Sequence, residues 1–169
     1  MSLRSDARRI AVFAAVAALL PSAALAQRAA APTILLGGPA ALDVSRAARQ
    51  AMERLQNLRC QQLLDEFSDR EGRPLRESLR STSPDAYLAS LVLRNGEIPV
   101  GSGHCLSDGA AAFTANGAAI FICGTSFHAL GKGAQANALI HEMLHTLGLR
   151  ENPPSSAEIS RQVAARCGG

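Results

Sequence analysis

No two cysteines of this chain stand at CxxC spacing, no segment repeats, and neither sign of charge prevails once the first residues are set aside. Each absence excludes a class. The gaps between Cys60, Cys105, Cys123 and Cys167 are long and irregular, so these thiols do not read as a structural zinc site. Without an internal period or a change of composition there is no repeat array and no second domain. The apolar run Ile10 to Leu20 is about half the length that spans a bilayer. The chain has 17 Lys and Arg against 14 Asp and Glu, but Arg4, Arg8, Arg9 and Asp6 all fall within its first nine residues. Taking residues 1–26 away leaves 14 basic against 13 acidic side chains, and the pI near 8.9 belongs partly to that leader. Nothing then favours nucleic acid or a membrane as a partner.

What is present begins with that leader. Basic residues, an apolar run ending at Pro21 and the small residues of Ala24-Leu25-Ala26 follow one another in the order of a signal peptide, with cleavage expected near Ala26. The paired Arg8-Arg9 are compatible with twin-arginine export as well as the general route. The mature chain is expected in the periplasm or outside the cell, as a monomer. Its roughly 143 residues make one domain, large enough to bury a core unaided. No long pro-segment precedes that domain, so latency through a cysteine switch is not expected. Export to an oxidising compartment makes two disulfides the natural state of the four cysteines. Of three pairings, Cys105 with Cys123 would flank one hairpin, and Cys60 with Cys167 would tie an early helix to the C-terminus.

Residues 27–41 are rich in Ala, Gly and Pro and read as a flexible lead-in, with the domain running over 42–169. Val44, Ala48, Ala51, Leu55 and Leu58 recur at four- and three-residue steps, which predicts a helix continuing past Cys60. Residues 68–74 read as a loop, followed by a short helical piece around Leu75 and Leu79. Tyr87 to Leu93 is a short apolar run and reads as a strand. Ala110 to Thr114 and Ala118 to Cys123 flank Asn116-Gly117 and predict a hairpin. The helix expected over 133–147 stops at Gly148, and a last helix covers 156–166. Helix, small mixed or antiparallel sheet, helix and terminal helix make an α+β fold.

The chemistry lies on the helix before Gly148. His141 and His145 are four residues apart, so their imidazoles project from neighbouring turns of one face and can reach one cation. Glu142, one step of about 100° away, comes to the edge of that face, beside the metal but outside its coordination sphere. Leu139, Ile140, Met143, Leu144 and Leu147 supply an apolar side for the same helix. Two imidazoles, a carboxylate ligand and Zn2+ leave one position for a water molecule of lowered pKa, and Glu142 would act as its general base.

The stretch HEMLHTLGLRE resembles the zincin metallopeptidases, and its HExxHxxG part resembles the start of the metzincin motif. That resemblance implies a zincin-like domain, a peptide or protein substrate, and a third zinc ligand at Glu151, where metzincins usually carry histidine. No methionine follows Met143, so the metzincin methionine turn has no counterpart. The segments around Cys60, Thr114, Ile122-Cys123-Gly124 and the tail from Glu151 to Cys167 resemble a group of small secreted bacterial proteins, which implies one exported domain without naming a substrate.

Glu151, just beyond the reversal at Gly148, and Glu158, the gluzincin-like choice on the following helix, both remain open as the third ligand. Ser155 to Glu158 also reads as a capping box that would occupy Glu158 within its own helix. His104 and His128 read as solvated loop histidines, Asp85 and Asp108 as turn residues, and Tyr87 as core. The expected function is an exported zinc peptidase. The alternatives are a non-catalytic zinc-containing binding domain and an amide hydrolase acting on peptidoglycan.

Overall fold

The structure, a computed structural model, describes residues 30–98, 102–107, 109–115 and 117–168. The expected signal peptide, Asp108 and Asn116 lie outside these residues. In chain order the elements are β1 (Thr33–Leu35), α1 (Gly38–Leu55), α2 (Leu58–Gln61), α3 (Leu63–Glu66), α4 (Leu75–Ser78), α5 (Pro84–Ser90) and β2 (Val92–Asn95). There follow α6 (Ser102–Ser107), β3 (Ala112–Thr114), β4 (Ala119–Ile122), α7 (Gly124–Ala129), α8 (Lys132–Thr146) and α9 (Ser156–Cys167). The fold is α+β with one small mixed sheet.

The sheet order is β1-β2-β4-β3. β1, β2 and β4 run parallel, and β3 returns antiparallel along β4 with Phe113 opposite Phe121. Leu93, Ile120 and Ile122 alternate onto one face and are fully buried. β3 is an edge strand, and its inward residues Ala112 and Thr114 lie beside α8. β3 and β4 thus form the expected hairpin.

Order begins earlier than the composition suggested. Within the expected lead-in, residues 33–35 form β1 against β2, and α1 starts at Gly38 with Pro39 in its first turn, where a missing N–H costs nothing. α1 buries Val44, Ala47, Ala48, Ala51 and Leu55 against α5 and α8. It does not continue past Cys60. The chain breaks at Gln56-Asn57, where the Asn57 side chain accepts from the Arg59 N–H and starts α2, leaving Leu58 77% exposed instead of in the stripe.

A second departure concerns Tyr87 to Leu93. Ser83 caps the chain through the Ala86 N–H and Pro84 occupies the first helical position, so residues 84–90 form a helix and only Val92 onward is strand. Tyr87 is thus helical. Its hydroxyl reaches the Thr146 hydroxyl at 3.1 Å.

Both expected disulfides are present, Cys60–Cys167 and Cys105–Cys123. α8 buries Ala136, Leu139, Ile140, Met143 and Leu144 and ends in a left-handed glycine, Gly148 at φ 110°. The Gly148 N–H bonds to the His145 carbonyl and the Leu149 N–H to that of Leu144, so the last turn's free carbonyls are satisfied as the chain reverses. The loop 68–74 braces this reversal. Asp69 accepts from the backbone N–H groups of Glu71 and Arg73, and its backbone pairs with Leu149.

A Cβ on Gly148 would sit 3.2 Å from that of Asp69 in a backbone conformation L residues rarely adopt. Gly148→Ala is expected to cost about 1–3 kcal/mol in denaturant unfolding. A change below about 0.3 kcal/mol would show that the turn tolerates a side chain.

Candidate metal centre

Helical spacing places His141 and His145 on successive turns of α8, and their Nε2 atoms lie 3.0 Å apart. The reversal at Gly148 carries Glu151 back to the same point, with its Oε1 3.4 Å from Nε2 of His145 and 3.7 Å from Nε2 of His141. Donors around a tetrahedral zinc, each about 2.0–2.1 Å from the ion, would be about 3.3 Å apart. The three distances bracket that value, so His141, His145 and Glu151 form a cluster that can hold a metal ion.

The far nitrogens of the two rings are also held. Nδ1 of His145 lies 2.9 Å from the Leu149 carbonyl, and Nδ1 of His141 lies 3.0 Å from Oγ of Ser160 on α9. Burial pushes the His141 pKa down to about 4, helped by the neighbouring His145 and opposed by Glu151. The ring is neutral over the physiological range, as a metal ligand must be.

Glu142 lies next to this cluster and is only 8% exposed. Burial raises its pKa above the ordinary carboxylate value. The Thr114 hydroxyl, donating to its Oε2 at 2.8 Å, and His145 pull the pKa down, while Glu151 adds to the rise. A carboxyl raised by burial and steadied by one donor is the kind of group that takes a proton and gives it back. It opens on a cavity of about 680 Å³ lined by Phe113, Thr114, Glu142, His145, Glu151 and Ser156. One turn earlier along the same helix, Ala112, Leu130, Ala134, Ala138 and His141 line a cleft of about 400 Å³. Both openings run beside the edge strand β3.

Of the two candidate third ligands, the structure brings in Glu151. Glu158 instead points to the Arg161 guanidinium at 3.3 Å and the Gln162 amide at 3.5 Å, while its N–H is capped by Ser155. It serves α9. His128 pairs with Asp43 at 2.6 Å on the surface, away from the cluster. His104 sits at the cavity mouth with its ring against Phe113, 4.7 Å between centroids. Asp85 belongs to the first turn of α5, where it accepts from the Gln56 amide.

Sequence reasoning missed Thr114 and Ser160, the two hydroxyls that hold Glu142 and His141. Thr114 had one available signal, since strand alternation with the buried Ala112 points it toward α8. Ser160 had none, because its partner is on another helix.

Glu151→Gln is expected to weaken metal retention by more than the roughly 10–100-fold that loss of an outer partner costs. Glu158→Gln should leave retention unchanged and cost α9 about 0.5 kcal/mol at its N-terminus. Equilibrium dialysis against a metal buffer separates the two, and the reverse result would move the ligand to Glu158. No protein-family profile, curated protein or solved structure matches the chain, so the reading of this site rests on its own geometry.

Proposed function

We propose that this chain is an exported zinc metallohydrolase, a peptidase of the zincin kind, with His141, His145 and Glu151 as ligands and Glu142 as general base. The observation that carries the reading is the convergence of two Nε2 atoms and one carboxylate oxygen beside a second, buried carboxyl that opens on a cavity. A structural metal site closes with a fourth protein ligand and has no use for that second carboxyl. Among the described residues no fourth His, Cys, Asp or Glu joins the cluster.

Zinc bound there would supply Lewis-acid polarisation of a scissile carbonyl and acidify a water molecule beside Glu142. The protein's own groups do the rest. Glu142, held by Thr114, takes the proton from the water and returns it to the leaving amine. An extended peptide adds to the free edge of β3 by main-chain hydrogen bonds, which lays its carbonyls along the two openings. Two disulfides are compatible with an exported protein, and no helix among the described residues is long and apolar enough to cross a membrane.

Glu142→Gln keeps the side chain's size and removes no ligand. Zinc should still bind near one equivalent, while hydrolysis of an unfolded protein substrate should fall by about 100-fold to 10,000-fold. His141→Ala should lose metal and activity together. Wild type that binds zinc yet equals Glu142→Gln on casein, peptides and peptidoglycan would replace the peptidase with a binding module. Turnover of peptidoglycan alone would make it an amide hydrolase.

A further inference from the structure

Two imidazoles can aim lone pairs at one point only if each carries its proton on the other ring nitrogen. His145 meets this condition through the backbone alone. Its Nδ1 faces the Leu149 carbonyl, which can only accept, so the proton is on Nδ1 and Nε2 is bare. His141 faces a different kind of partner, the hydroxyl of Ser160 at 3.0 Å. A hydroxyl can accept or donate.

We propose that Ser160 is a positioning residue of the metal centre, its oxygen accepting the Nδ1 proton of His141 and so holding that ring's Nε2 lone pair on the point shared with His145 and Glu151. The assignment rests on the metal reading of the site. Its physical ground is the 3.0 Å between the two Nε2 atoms. Two bare lone pairs at that distance repel, and a carboxylate oxygen at 3.4 and 3.7 Å adds to the repulsion, so the arrangement is favoured when a cation lies between them. Without the cation, a proton on Nε2 of His141 relieves the clash by donating to His145, and Ser160 then turns its own proton to Nδ1. The serine satisfies the ring in both states. In the cation-bound state it fixes the ring's orientation, as outer partners of ligating histidines do.

The hydroxyl is delivered by a well-anchored element. α9 buries Ile159 and Val163 on either side of Ser160, is capped by Ser155, and is tied through Cys167 to Cys60. Ser160 itself is exposed and lines the cleft of about 400 Å³, so water can enter where the hydroxyl is removed. The expected loss therefore lies at the lower end of the 10–100-fold range for such partners.

The experiment uses the mature chain with both disulfides formed, stripped of metal and titrated with zinc against a chromophoric chelator. Ser160→Ala should bind zinc about tenfold more weakly than wild type, and Ser160→Thr, which keeps the hydroxyl, should return to within about threefold. Melting temperatures of the three metal-free proteins should agree, because the buried face of α9 is untouched. Zinc binding by Ser160→Ala equal to wild type would overturn the assignment, as would a threonine variant as weak as the alanine one. A loss of affinity matched by a fall in melting temperature would make Ser160 structural instead. Wild type that takes up no zinc is a separate result, and it overturns the reading of the site itself.

Discussion

The site depends on one backbone reversal. A helix that ends in a left-handed residue turns the following chain back over its own last turn, and here Gly148 does so three residues after His145. Three consequences follow from that single conformation. The Leu149 carbonyl comes within 2.9 Å of the His145 ring, Glu151 comes back to both imidazoles, and the 68–74 loop gains a backbone partner at Leu149. A helix continuing past residue 148 would carry Glu151 onward with the helix axis. It would also leave His145 free to choose its tautomer.

Electrostatics explains why so polar a cluster sits at the end of a buried helix. Glu142 is nearly inaccessible, His141 is held neutral, and Glu151 stands a few ångströms from both rings. In this partly dry corner burial and the neighbouring Glu151 both raise the cost of ionising Glu142, against the pull of His145. The Thr114 donor offsets part of this for Glu142 alone. A dication offsets far more, since it attracts both carboxylates and both Nε2 lone pairs at once. The same features that make the corner unfavourable when bare make it able to hold a metal ion.

Much of this was legible in the sequence, for reasons of period. Four-residue spacing on a helix puts two side chains on one face whatever the tertiary context, so His141 and His145 could be paired directly. The end of α8 was legible because glycine alone adopts the required conformation cheaply. The choice between Glu151 and Glu158 was not, since it turns on where a loop leads. The segment at Tyr87 departs from the expected strand for a related reason: a short apolar run fits a buried strand or a helix, and the Ser83-Pro84 start signal outweighs it. Asn57 ended α1 by the same kind of local competition, a side-chain acceptor capturing a backbone N–H.

The disulfides carry the argument from site to scaffold. Apart from α1, α8 and α9 the described elements are short, with strands of three or four residues and several helices of a single turn, and such pieces hold no fixed position alone. The long elements pack by burial: α8 lies on α1, α9 and the β3 edge. The covalent ties fasten short elements to the buried core, with Cys60, Cys123 and Cys167 themselves buried. Cys105–Cys123 fixes α6, with His104 at the cavity mouth, to the end of β4, and Cys60–Cys167 fixes the far end of α9 to α2. Spanning 107 residues, the second closes the longer loop, so in the chain-entropy view it removes more freedom from the unfolded chain, about 4.7 kcal/mol against about 3 kcal/mol for the 18-residue loop. The larger constraint thus falls on the helix that faces His141. The three side chains that can hold a metal ion come from α8 and the turn behind it, but the scaffold that holds them extends through α9 to Cys167.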